Sequence, residues 1–108
     1  MHAARGSCTL LRTQPNAVVH AMASLSVAVA GLTLRVSRME WALLAVAVGL
    51  VWAAEAFNTA IEFLADEVSL ERKERIKHAK DVAACGVLVC AIVSAVIGLL
   101  VFIPHAQV

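Results

Sequence analysis

Glu55, Asn58, Glu62 and Asp66 follow one another at steps of three, four and four in an otherwise apolar stretch. On a helix of 3.6 residues per turn, that spacing sets the four side chains along one stripe. An ionised group in hydrocarbon costs about 2.5 to 3.5 kcal/mol on insertion scales, so such residues face a protein interior or a wet cavity. Glu62 and Asp66 are hard oxygen donors, and Mg²⁺ is commonly held by one or two carboxylates plus substrate phosphate oxygens. Lys80 and Asp81 open the next apolar run. A lysine there would neutralise a transferring phosphoryl group, and helix N-termini favour anions. Glu55 lies two turns deeper than Glu62, about 10 Å along the axis. That depth suits a base that meets a hydroxyl arriving from lipid. The layout fits phosphoryl transfer from water-borne ATP to a lipid alcohol. Spacing alone fits a proton or cation pathway almost as well, because intramembrane carboxylates serve both.

The elements that must carry this stripe read as membrane helices. The chain has 108 residues, 61% of them hydrophobic, against roughly 45–50% in an average soluble domain. Its mean hydropathy is +0.84. This is the length of a single domain, 1–108, with lipid supplying the apolar surroundings. A net charge of +1 gives no sign of a nucleic-acid partner. Three cysteines, Cys8, Cys85 and Cys90, argue against a disulfide framework and for small packing residues.

Residues 1–16 are polar and lightly basic and lack the layout of a signal peptide. Ala3, Leu10 and Leu11 suit the apolar side of a short surface helix. Ala17–Leu34 is uncharged and just long enough to span a membrane. Pro15 suits its first turn. His20 is its one ionisable residue, and a lone histidine near a helix start ordinarily serves packing or the interface. The connector 35–40 offers Ser37 as an N-cap, and Trp41 sits where an interfacial aromatic belongs.

Residues 41–54 are uncharged but too few to span alone, so the second span runs on through Glu55 and Glu62. The alternative, a helix that ends at Glu55 and leaves the stripe in water, is opposed by Ala56, Phe57, Ala60 and Ile61, which continue the apolar pattern. Residues 66–81 are the most charged and read as a solvated helix face or loop. Residues 82–103 are apolar throughout, and Pro104 is expected to stop them. The expected architecture is an all-α membrane protein with spans at about 17–35, 39–65 and 81–103. Arg72, Lys73, Arg75, Lys77 and Lys80 concentrate positive charge in the second loop. The positive-inside rule then puts that loop and the N-terminus in the cytoplasm.

The string Glu55-Ala-Phe-Asn58-Thr59-Ala-Ile-Glu62, followed by Lys80-Asp81, resembles the signature of the small prokaryotic diacylglycerol kinases, which include the undecaprenol kinases. The resemblance covers nearly the whole chain. It implies a homotrimer in the bacterial cytoplasmic (inner) membrane, with three-helix protomers, an N-terminal surface helix and active sites shared between protomers. It implies an ATP-dependent lipid kinase whose acceptor is diacylglycerol or undecaprenol. By the same resemblance, Glu55 is the catalytic base, Glu62 binds the Mg²⁺ that bridges the ATP phosphates, and Asn58 orients the reacting groups. Lys80 and Asp81 contact nucleotide, and Glu71, Arg72 and Lys73 fall where the family's loop passes it. The chain departs from the family in one place. Gln14 and Val18 stand where a pattern like E-x-N-x-R-x-H has Glu and Arg. The family's Glu is a second metal ligand, and a glutamine there coordinates without charge, so metal affinity should be weaker. This departure supports the alternative, a catalytically degenerate membrane protein of the same fold.

Overall fold

The computed structural model describes residues 2–6, 15–69, 71 and 73–107. Three helices follow in order: α1 (Pro15–Leu34), α2 (Arg38–Val68) and α3 (Glu74–Ala106). Each is long and apolar enough to cross a membrane. Residues 2–6 form a further helical turn. Leu10 and Leu11, on which the expected surface helix rests, lie outside the described residues.

Local chemistry sets the helix ends. Proline at the first position of α1 has a φ already suited to a helix, and its missing N–H would have had no partner there. α1 closes with the Val36 N–H donating to the Gly31 carbonyl at 3.2 Å. Arg35 takes the left-handed conformation, φ 54°, that this turn requires. A side chain held in that conformation costs about 1 kcal/mol, which glycine would avoid. α2 begins with a capping box. The Ser37 hydroxyl accepts from the Glu40 N–H at 3.1 Å, and the Glu40 carboxylate accepts from the Ser37 N–H at 2.9 Å. The expectation for Ser37 therefore holds.

The expectation for Pro104 does not hold, because α3 runs through it to Ala106. Proline removes its own N–H bond and crowds the carbonyl one turn back. So near a C-terminus there is little helix left to break. The charged stretch 66–81 is largely helical, with α2 reaching Val68 and α3 starting at Glu74. Ser69 closes α2 by donating its N–H to the Ala65 carbonyl at 3.1 Å.

α2 is the central helix, flanked by α1 and α3. The apolar core sits at the 35–37 end, where Val36, Leu44 and Val101 are buried with Trp41, Ile97 and Phe102 against them. Polar contacts add to the α2–α3 seam, as is common between membrane helices. The Ser94 hydroxyl donates to the Ala47 carbonyl at 2.6 Å, and His105 Nε2 lies 3.0 Å from a Glu40 oxygen. Elsewhere the helices leave broad apolar faces uncovered, with Leu25, Leu32, Leu88 and Leu100 all exposed.

Gly31 lets α1 approach the Trp41 indole. A Cβ placed on Gly31 would stand 2.5 Å from Trp41 Cη2, inside contact distance. Gly31→Ala is expected to destabilise the protein by about 1–3 kcal/mol, read as a lower unfolding midpoint in detergent. Gly49→Ala, where nothing lies within 4 Å, is the control and should not lower it.

Candidate active site

The stripe on α2 is graded in exposure. Glu55 is 7% exposed and Thr59 5%. Glu62 is half-buried and Asp66 exposed. The dry end of the stripe is therefore Glu55 and the wet end Asp66.

At the dry end, His20 Nε2 lies 3.2 Å from Glu55 Oε1. An ionised carboxylate only accepts, so the imidazole is the donor. The histidine is itself braced. Trp52 meets its ring edge-on at a centroid distance of 6.3 Å. The Trp52 indole N–H donates to the Ser24 hydroxyl at 2.9 Å, and that hydroxyl donates to the His20 carbonyl at 2.7 Å. The sequence left His20 to packing or the interface, although it fills the last place of the pattern E-x-N-x-R-x-H. The missed signal was register: the turn at 35–37 makes α1 and α2 antiparallel, and His20 and Glu55 lie nearly equidistant from Ser37.

Midway along the stripe, Asn58 Oδ1 and Thr59 Oγ1 are buried with no hydrogen-bond partner among the described residues. An unpartnered buried polar group costs about 1–3 kcal/mol, and native proteins carry few. Asn58 precedes Glu62 by one turn, which places a free amide oxygen beside a carboxylate. Among the described residues, no group of three or more His, Cys, Asp or Glu side chains is placed to hold a metal ion. Mg²⁺ does not need such a cage when phosphate oxygens complete its shell. Glu62 and the orphaned Asn58 oxygen are hard donors of the right kind, so these residues fit the ion.

At the wet end, Lys80 Nζ lies 2.8 Å from Asp66 Oδ1, and Glu62 is close enough to act electrostatically on Lys80. A pocket of about 290 Å³ opens here, lined by Asp66, Ser69, Glu71, Lys73, Ile76, Lys77, Lys80 and Asp81. The structure thus brings Glu71, Lys73, Lys80 and Asp81 to one polar cavity. Glu55, Asn58 and Glu62 are not in its wall but continue the same helix away from it. Arg72 and Gln14 lie outside the described residues. A second, apolar crevice of about 190 Å³ runs between the three helices, walled by residues such as Leu44, Val51 and Gly98, with His20 also in its lining. Charged space therefore reaches one end of the stripe and apolar space the other. Such an arrangement can bring a water-borne anion and an apolar group to the two ends of one helix face.

Comparison with known proteins agrees. The family described as prokaryotic diacylglycerol kinase matches residues 1–102. An undecaprenol kinase of Bacillus subtilis (strain 168) is 38% identical over 104 residues, covering 96% of this chain and 85% of the relative. No solved structure matches.

Proposed function

The chain belongs to the prokaryotic diacylglycerol kinase family, a family of membrane lipid kinases, and from that premise we propose that it phosphorylates undecaprenol with ATP. The relative's name favours undecaprenol over diacylglycerol as acceptor. The reaction takes place at the cytoplasmic face of the bacterial cytoplasmic membrane, with the N-terminus and the 69–73 connector on that side. Lys73, Arg75, Lys77 and Lys80 support this orientation.

One observation carries the reading: a buried carboxylate, Glu55, on the same helix face as a charged pocket. The nucleotide phosphates enter that pocket, where Lys80 and Lys73 offset their charge and Glu71 and Asp81 contact the nucleotide; Arg72 is assigned to the nucleotide by the family resemblance alone. Glu55 takes the proton of the lipid hydroxyl as its oxygen bonds to the γ-phosphorus. The bond from that phosphorus to the bridging oxygen breaks, and ADP leaves. Glu62 and the unpartnered Asn58 oxygen would hold Mg²⁺, with Asn58 also orienting the reacting groups, and Gln14 joins this set as an uncharged ligand by the family resemblance alone. When bound, the ion neutralises charge on the phosphates. Catalysis of this kind rests on positioning and electrostatics.

The active unit is a homotrimer with an N-terminal surface helix on each protomer. A groove along α1 that includes the small residues Ser26, Ala30 and Thr33 supports close approach of a neighbouring protomer's helix. The second reading, a catalytically degenerate protein of the same fold, is favoured only by Gln14.

The test is a transfer assay in mixed micelles with labelled ATP, Mg²⁺ and either undecaprenol or diacylglycerol. Label is expected in undecaprenyl phosphate, with kcat/KM at least about tenfold above that for diacylglycerol, a gap of about 1.4 kcal/mol. Label in diacylglycerol alone would reassign the acceptor. Label in neither lipid, from folded protein, would favour the degenerate reading.

A further inference from the structure

We propose that His20 is a positioning residue for the transfer step: its Nε2–H holds one oxygen of Glu55 and leaves the other free to meet the acceptor hydroxyl. The inference rests on the reading of Glu55 as the base.

A glutamate has three rotatable bonds, and a base must be held within a few tenths of an ångström to act on a bound hydroxyl. Among the described residues, His20 supplies the one hydrogen bond to the Glu55 carboxylate, at 3.2 Å. The imidazole is not free to swing away, because Trp52 packs on its edge and Ser24 ties Trp52 back to the His20 carbonyl. α3 brings no competing charge, since the residues it adds to the crevice beside His20 are Ser94, Ala95 and Gly98. His20 therefore joins two functions in one side chain. It lines the apolar crevice, and it aims the carboxylate.

The test compares His20→Leu and His20→Gln in the lipid-kinase assay, beside Glu55→Gln and the His20→Leu/Glu55→Gln double variant. His20→Leu is expected to lose about 30- to 100-fold in kcat, with KM for ATP and for the lipid within about twofold. His20→Gln keeps an N–H donor of similar reach and should recover kcat to within about fivefold of the parent. Because His20 acts through Glu55, the double variant should be no slower than Glu55→Gln alone. Wild-type kcat in His20→Leu would overturn the proposal. So would a His20→Gln protein that melts like the parent yet is as slow as His20→Leu. A fully active Glu55→Gln enzyme would instead remove the base reading, whatever the histidine variants do.

Discussion

Glu55→Gln is expected to lower kcat for lipid phosphorylation by about a thousandfold, while nucleotide binding stays within twofold. General-base catalysis contributes about 10²- to 10⁴-fold, and the dry setting of Glu55 leaves little water to substitute for it. The substitution is close to isosteric, and its amide oxygen still accepts from His20, so the helix seam should survive. The pocket around Lys80 and Asp81, to which nucleotide binding is assigned, lies at the other end of the stripe. Turnover with labelled ATP and a separate nucleotide-binding titration would show the split. A variant keeping more than about a tenth of parental kcat would remove Glu55 from the role of base.

Glu62→Gln should cost about 100-fold in kcat at ordinary Mg²⁺ and raise the Mg²⁺ needed for half-maximal rate by tenfold or more. The variant keeps an oxygen donor but loses the negative charge that a hard divalent cation favours. In the proposed metal site, with Gln14 where the family has a glutamate, Glu62 would carry a larger share of the metal's charge than one of two carboxylates. Asp66→Asn is the informative contrast. The Asp66 side chain is 52% exposed and already engages Lys80, so its loss should shift the Mg²⁺ dependence less. A Mg²⁺ titration settles the matter, and an unchanged half-point in Glu62→Gln would mean that Glu62 is no ligand.

Much of this was legible in the residues themselves. Helix type followed from length and hydropathy, and the N-cap at Ser37 from its residue type ahead of an apolar run; that Glu40 completes a capping box emerged only in the structure. That α2 continues through Glu55 to Glu62 followed from the apolar residues set between the charges. The graded burial of the stripe was implied by the charge density that follows it. What could not be read was pairing across helices. His20 looked like a packing or interface residue because no local pattern links it to a residue 35 positions away. Glu40 and His105, 65 positions apart, were invisible for the same reason. Pro104 misled because a proline rule for helix interiors was applied within a turn of the helix end, where breaking one bond changes little. The orphaned oxygens of Asn58 and Thr59 are likewise a property of packing and have no sequence signature.

The core around Val36, Leu44 and Val101 lies at one end of α2, and the polar pairs His20–Glu55 and Asp66–Lys80 lie towards the other. Mechanically, the protomer is a clothes-peg. Its spring is the apolar seam by the 35–37 turn, its α1 jaw is pinned to α2 by His20–Glu55 and Ser24–Trp52, and its α3 jaw by Asp66–Lys80. One of these pins is the carboxylate assigned to the chemistry, so on that assignment a hydroxyl that engages Glu55 draws on a side chain that also ties α1 to α2.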